Sequence, residues 1–271
     1  MNTRKRLVVT SIICAVMIVA ILIAGLTIPA SAYANDFAAK KQAPSLAHPF
    51  GTDVVGRDML FRSLKGLSTS LKIGLFASSV SAVAALFLGM AAALFGKRVD
   101  GVITWMVDLC MSLPHMVLLI MLCLLFGKGA LGVTMSVALT HWPNITRIIR
   151  AEVKQLTTRQ FVKSSMKLGQ SKWRIAVFHI VPHVFPQFIV GLVLLFPHAI
   201  MHEASVTFLG FGLSMDSPAI GVILSESMKY LTIGMWWLAL LPGLLLITIV
   251  LLFHVLGRNV EKLLNPATGQ L

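Results

Sequence analysis

Long apolar runs recur along this sequence, each about as long as a helix needs to cross the hydrocarbon layer of a membrane. Hydrophobic residues make up 57% of the 271 residues and charged residues only 12%, which is more apolar side chain than a soluble domain could bury. Because lipid offers backbone amides no hydrogen-bond partner, we expect these runs to be helices. We predict an all-α, polytopic membrane protein with six transmembrane helices, near residues 7–28, 73–95, 102–126, 130–149, 184–208 and 234–257.

The positive charges predict how these helices are oriented. The net charge is +13, and with the N-terminus inside the cell fifteen of the 23 lysines and arginines fall in cytoplasmic segments. Both termini are therefore predicted to be cytoplasmic. The cations form separate clusters without interleaved aromatic residues, so we expect a membrane and no nucleic acid as partner. The three cysteines lie in apolar runs without the spacing of a metal site or a disulfide framework.

The N-terminal part resembles a signal peptide, with cations, an apolar run and the small residues Ala30-Ser31-Ala32. The apolar run is longer than such peptides usually have, so we expect a retained anchor helix. We divide the chain into residues 1–71, which hold this anchor (about 7–28) and an outer amphipathic segment, and residues 72–271, the transmembrane domain. Charged pairs four residues apart, Asp53 with Arg57 and Asp58 with Arg62, suggest a helix in the outer segment.

The stretch from Arg147 to Pro186 is too charged to lie in a bilayer. Its centre, about residues 150–183 and here called the basic loop, is predicted to form a helix, a turn at Gly169 and a short helix from Lys172 to Ile180 that ends before Pro182. Such a unit predicts a docking surface for a soluble partner; the alternative is a hairpin lying on anionic headgroups. The whole stretch from Arg147 to Pro186 contains one acidic residue, Glu152, and eight basic residues. These eight cations are Arg147, Arg150, Lys154, Arg159, Lys163, Lys167, Lys172 and Arg174.

The basic loop resembles the EAA loop of binding-protein-dependent ABC import permeases, with Lys-Ser-Ser in place of the EAA triplet. The residues that match its spacing are Lys163, Ser164, Ser165, Gly169, His179 and Pro182. Other blocks are similar to the dipeptide, oligopeptide and nickel permeases of that family: GTDVVGRD at 51–58 resembles GTDxxGRD, EASVTFLGFG at 203–212 resembles EAxLSFLGLG, and Leu264-Asn265-Pro266 fits the C-terminal part. The residues of the outer motif are Gly51, Thr52, Asp53, Gly56, Arg57 and Asp58.

This resemblance implies the type I ABC importer permease fold in the cytoplasmic (inner) membrane of a bacterium or archaeon. The chain would form half of a translocation pathway with a second homologous permease, two cytoplasmic ATPases and an extracytoplasmic solute-binding protein, and its basic loop would be the ATPase-coupling loop. The sequence has no GxxxxGK[ST] phosphate loop, so we expect ATP and Mg²⁺ on the ATPases and no cofactor or catalytic residue on this chain. A secondary transporter working alone is the less favoured alternative, since two inverted halves with interrupted spans are not apparent.

Polar residues within the predicted spans are candidates for the substrate path. In the fifth span, His198 and His202 lie on one helix face, a spacing at which two imidazoles can contact one metal ion. The pair resembles a histidine-containing stretch of nickel permeases, so we expect nickel or a nickel chelate as cargo. Glu203 matches a glutamate of the peptide members, which keeps di- or oligopeptides as the alternative. Asp108 either lines the path or hydrogen-bonds to a neighbouring helix. For His198 and His202, too, the alternative to a substrate contact is a hydrogen bond to a neighbouring helix.

Overall fold

The computed structural model describes residues 3–264, which fold almost entirely into helices. Short 3-10 turns occupy Ala30–Tyr33 and Phe37–Ala39, and within the described residues the β structure is limited to an isolated bridge between Thr52 and Asp58. The Asn265-Pro266 part of the C-terminal motif lies outside the described residues. The helices are α1 (Thr3–Thr27), α2 (Met59–Leu94), α3 (Lys97–Ser112), α4 (His115–Phe126), α5 (Ala130–Thr157), α6 (Gln160–Lys167), α7 (Lys172–Ile175), α8 (Val181–Phe208), α9 (Ile220–Leu231) and α10 (Trp237–Leu264).

The all-α prediction is confirmed, but the count of six spans is not. Four described helical stretches are long and apolar enough to cross a membrane: α1, α2, the stretch from α7 through α8, and α10. A fifth is added if α3 and α4 count as one broken span. The predicted fourth span is helical as part of α5, which buries polar residues such as Ser136, Thr140 and His141. A helix whose polar side chains face its neighbours has a lower hydropathy than one surrounded by lipid.

The third predicted span, near 102–126, is not one continuous helix. The chain breaks at Leu113 and Pro114, and the axes of α3 and α4 differ by 98°. Proline disfavours helical geometry in the residue before it, and Leu113 indeed adopts an extended backbone with φ −92° and ψ 144°. The new direction makes His115 the first residue of α4.

The predicted outer helix around residues 53–62 is also corrected. Residues 51–58 form a turn, and the helix begins only at Met59, as the start of α2. Asp53 pairs with Arg57 as expected, with 2.6 Å between Oδ2 and Nε, but from within this turn. Asp58 caps α2 by accepting from the amides of Leu60 and Phe61 instead of pairing with Arg62.

The helices pack around α2, whose most extensive contact is with α5 and which also lies against α1 and α8. Small buried residues on α2, including Ala77, Ala82 and Ala85, permit this close packing. One apolar core joins α2, α5 and α8 to the basic loop, because Val162, Ile175 and Ile180 are buried in it. The loop is therefore anchored on the helix bundle by its apolar residues.

Candidate functional site

Three histidines from three different helices meet in the bundle. They are His115 at the start of α4, His141 in α5 and His202 in α8. The ring centroids are 4.9 Å apart for His115 and His141, 4.5 Å for His115 and His202, and 5.2 Å for His141 and His202. One nitrogen from each ring lies within 4.8 Å of the other two, which is a spacing from which a single metal ion is within reach after small side-chain movements.

His141 is the most buried of the three, with 6% of its surface exposed. Its Nδ1 lies 2.8 Å from the carbonyl oxygen of Val137, and since a carbonyl only accepts, Nδ1 carries the proton and donates. Within the described residues, the buried Nε2 of His141 has no hydrogen-bond partner, and neither has Nε2 of His115. This tautomer gives His141 a free lone pair on Nε2, which is the form that binds a metal ion or accepts a hydrogen bond from a substrate.

The histidines line a cavity of about 430 Å³. His198, one turn before His202 on α8, lines the same cavity but is exposed and stands outside the group of three. Sulfur is close as well, since Nδ1 of His202 lies 3.3 Å from Sδ of Met116, and Cys110 is part of the cavity wall. The predicted pair of His198 and His202 thus belongs to a larger site.

Helical spacing within one span indicates His198 and His202 but not His115 and His141, which lie on other helices. The signal that would have found them is the same as for His202: an ionisable side chain within a strongly apolar stretch. This signal identifies the individual residues, but it does not predict which of them lie close together in the folded protein.

Glu203 and Asp108 do not line this cavity. Glu203 is fully buried, and its Oε1 accepts a hydrogen bond from the hydroxyl of Thr207 at 3.0 Å. Asp108 lies on α3 and is more than half exposed, where it pairs with Arg147 of α5 at 2.5 Å. Of the two roles considered for Asp108, the structure accordingly records the contact with a neighbouring helix.

The basic loop has the helix, turn and helix that its sequence predicts. α6 is followed by Gly169 with φ +75°, a conformation that glycine adopts without strain, and Ser171 caps α7 by accepting from the amide of Arg174. Nε2 of His179 is 3.2 Å from Oε1 of Gln170 and 3.5 Å from Oγ of Ser165, which ties the two arms of the turn together.

The prediction that the second helix ends before Pro182 is wrong. α7 continues through a π-helical turn, Ala176–Ile180, into α8, which carries Pro182 in its first turn. A wider turn accommodates the proline, which has no amide proton to donate to the preceding turn. The second arm of the basic loop is consequently one continuous helical stretch with α8.

Large apolar and basic side chains share the outer surface of this loop. Leu168, Trp173 and Phe178 are 79%, 62% and 69% exposed, respectively. The motif residues Lys163 and Ser164 are exposed, whereas Ser165 is buried. The exposed cations beside them are Lys163, Lys167, Lys172 and Arg174.

Ion pairs fasten the α5 side of the loop to α3. Asp100 binds both Arg150, with 2.9 Å between Oδ2 and Nη2, and Lys154, with 2.6 Å between Oδ2 and Nζ. Arg150 and Lys154 are therefore not free to bind a partner, whereas Lys172 and Arg174, which follow Gly169, are exposed.

The outer motif forms a compact turn against the start of α2. Thr52 is buried and donates from its hydroxyl to the carbonyl of Ala39, while Asp53 accepts from the amides of Val55 and Arg57. Gly51 and Gly56 both have positive φ, at +67° and +85°, and a Cβ on Gly56 would lie 1.6 Å from the carbonyl oxygen of Asp36. The pattern of glycines and aspartates thus serves the turn itself.

Comparison with known proteins supports a transport role. Residues 85–266, more than half of the chain, match the family described as "Binding-protein-dependent transport system inner membrane component". A putative peptide transport system permease of Brucella suis is 32% identical over 83% of this chain and 75% of its own length. The dipeptide transport system permease DppC of Bacillus subtilis is 29% identical over 82% of this chain and 70% of its own length.

Solved structures agree at the level of the fold. An inward-facing structure of the MetNI methionine ABC transporter matches 76% of this chain and 98% of its own with a TM-score of 0.64 at 15% identity. Together with the apolar helices, the family match identifies a multi-pass protein of the inner membrane. The chain belongs to the binding-protein-dependent inner-membrane components, as an ABC importer permease of the peptide and nickel family.

Proposed function

We propose that this chain is the permease subunit of an ATP-driven importer and forms half of its translocation pathway. It pairs with a second homologous permease, receives cargo from an extracytoplasmic solute-binding protein and couples to two cytoplasmic ATPases that hold ATP and Mg²⁺. Its six crossings leave both termini in the cytoplasm, and residues 72–271 form the transmembrane domain behind the anchor region, 1–71.

The observation that carries this proposal is the form of the basic loop. Its outer surface combines exposed apolar side chains with cations, and its inner surface is fixed by Val162, Ile175 and Ile180 in the core of the bundle. A rigid body held this way transmits a push from a soluble subunit to α8, because α7 and α8 are continuous. The ATPases would move the loop, and α8 would carry that movement to the histidine cavity.

Two cargo classes have support. The names of the relatives favour a di- or oligopeptide. The histidine cavity favours nickel or a nickel chelate as the second candidate, because clustered imidazoles suit transition metals. Uptake of radiolabelled nickel and of a radiolabelled dipeptide by the assembled transporter with its binding protein decides between them, and transport of one alone excludes the other.

Crosslinking tests the proposed coupling. In a cysteine-free background, Leu168→Cys places a thiol on the exposed loop surface, and Leu131→Cys places a similarly exposed thiol at the start of α5. We expect the residue at 168 to crosslink to an ATPase subunit and the one at 131 to remain free of it. Reaction of the thiol at 168 with an impermeant reagent from outside the cell would overturn both the docking role and the orientation.

A further inference from the structure

We propose that His115, His141 and His202 form a transient coordination site for one divalent transition-metal ion inside the permease. This deepens the proposed function and rests on it in one respect, namely that the cavity belongs to the translocation pathway. The site is built from three helices and is therefore more than the pair of histidines on α8 that the sequence suggested.

Tautomer and burial prepare the site for a metal ion. The carbonyl of Val137 holds the proton of His141 on Nδ1, so the buried Nε2 offers its lone pair with no competing partner among the described residues. Nε2 of His115 is likewise buried and unpaired. Leaving two such nitrogens without partners is unfavourable, and coordination of a shared ion would satisfy both.

The donor set selects the kind of ion. Imidazole nitrogens suit nickel, copper and zinc, whereas magnesium and calcium need oxygen ligands. Sulfur atoms also lie near the three rings, since Met116 contacts Nδ1 of His202 and Cys110 lies in the cavity wall. No carboxylate from the described residues lines the cavity, and its side-chain oxygens are those of Thr140 and Asn144, fewer than the six or more oxygen ligands that a hard cation takes.

The geometry also makes the site weak. Nitrogens at about 2.1 Å around a tetrahedral ion are roughly 3.4 Å apart, whereas those of the three histidines are within 4.8 Å of one another. The rings must close around the ion, and its positive charge is left without a carboxylate. Both effects weaken the binding of the ion. Weak binding is what a site along a translocation pathway requires, because a tight site would retain its cargo.

His198 gives the ion a neighbouring contact. It is exposed on the same cavity and lies one helical turn from His202, or roughly 6 Å along α8. An ion could pass between a ligand set containing His198 and the three-histidine site by exchanging one imidazole for another. Movement of α8 by the basic loop would then change the ligand set, since both His198 and His202 belong to this helix.

The test is metal binding by the assembled transporter in detergent, with nickel ion as ligand and cobalt ion as a spectroscopic probe. We expect saturable binding of nickel and of cobalt, and the absorption bands of bound cobalt should indicate nitrogen ligands. Magnesium should not bind with comparable affinity. His115→Ala, His141→Ala and His202→Ala should each weaken nickel binding by at least about tenfold, since loss of even an outer-shell partner has an effect of this size. His254→Ala, which removes an exposed histidine of α10, should leave it unchanged.

His141→Ala removes a buried side chain and could unfold the protein, so His115→Ala and His202→Ala keep the test decisive. Equal nickel binding in these two variants and in His254→Ala would overturn the site. Stimulation of ATP hydrolysis by the binding protein is measured on the same samples and reports on the proposed function alone. Normal stimulation without any nickel binding rejects the metal site, whereas histidine-dependent nickel binding without stimulated ATP hydrolysis supports the site and rejects the importer.

Discussion

Arg62 in the first turn of α2 donates a hydrogen bond from Nη2 to Oε2 of Glu226 in α9 over 2.6 Å. The two residues are 164 positions apart in sequence, and the side chain of Arg62 is only 5% exposed. Asp53 of the outer motif lies 3.6 Å from the other terminal nitrogen of Arg62. The outer turn, α2 and α9 are thus joined by one buried guanidinium.

Replacing this guanidinium should destabilise the protein. Arg62→Leu leaves Glu226 and Asp53 without their buried partner, and we expect a loss of about 1–3 kcal/mol in the free energy of unfolding. Arg57→Leu is the matched control, because Arg57 contacts the same two carboxylates but is 26% exposed, so its loss should stay below about 1 kcal/mol. Thermal unfolding in detergent measures the stability of both variants. Equal losses in Arg62→Leu and Arg57→Leu would contradict the explanation that the burial of Arg62 makes its ion pairs more stabilising.

The turn at Gly169 should tolerate only residues that accept positive φ. Beyond the two chain neighbours of Gly169, no atom of the described residues lies within 4 Å of the position that a Cβ would take. The cost of Gly169→Val is therefore backbone strain, about 1–2 kcal/mol. We expect this variant to insert normally but to lose uptake, as the two arms of the basic loop can no longer hold their angle. Gly169→Asn should retain most uptake, since asparagine adopts this conformation more readily. Wild-type uptake with valine would refute a coupling role for the turn.

Local signals in the sequence account for the parts of the fold that were predicted well. The apolar runs identified the helical segments, and Gly169 identified the turn of the basic loop. Each of these depends on neighbours within a few residues in the chain. The basic loop was consequently described from sequence almost as the structure has it, apart from the continuous passage into α8.

The site of three histidines could not be predicted from local sequence signals, because it is formed by contacts between residues that are distant in the chain. His115, His141 and His202 are far apart in sequence and meet only because α4, α5 and α8 pack together. The bend before α4 had a local signal in Pro114, but a proline also occurs within α5, α8 and α10 without a break of this size. Whether a proline kinks or breaks a helix is decided by the surrounding packing.

Close packing of α2 against α8 should make Gly74 intolerant of a side chain. A Cβ at this position would lie 2.6 Å from Cγ1 of Ile200 and 3.2 Å from its backbone nitrogen, so the helices would have to separate. We expect Gly74→Val to reduce the free energy of unfolding by about 1–3 kcal/mol. It should also disturb the cavity, since Ile200 lies between His198 and His202.

A second glycine provides the control for Gly74. The nearest atom to a Cβ on Gly191 of α8 would be 3.9 Å away, so Gly191→Ala should be neutral or stabilise by up to about 1 kcal/mol through its better helix propensity. Thermal unfolding of both variants provides the comparison. Equal stability of Gly74→Val and the wild type would show that α2 and α8 are not held this closely.

Pro114 should control the position of His115. Proline holds Leu113 in an extended conformation and cannot donate a helical hydrogen bond, so Pro114→Ala permits α3 to continue into α4. A straighter helix would carry His115 away from His141 and His202. We expect nickel binding to weaken by about as much as in His115→Ala, that is by at least about tenfold. The control is Pro242→Ala, in α10, which should leave nickel binding unchanged.

Distances between spin labels distinguish this explanation from a general loss of structure. Labels at the exposed positions Trp105 in α3 and Leu125 in α4 report the angle between the two helices. In the wild type they should give a short, narrow distribution set by the 98° bend, and Pro114→Ala should shift it to longer distances. An unchanged distribution together with unchanged nickel binding would mean that packing against α5 and α8, rather than the proline, holds the bend. His115 would then be placed by its neighbours alone.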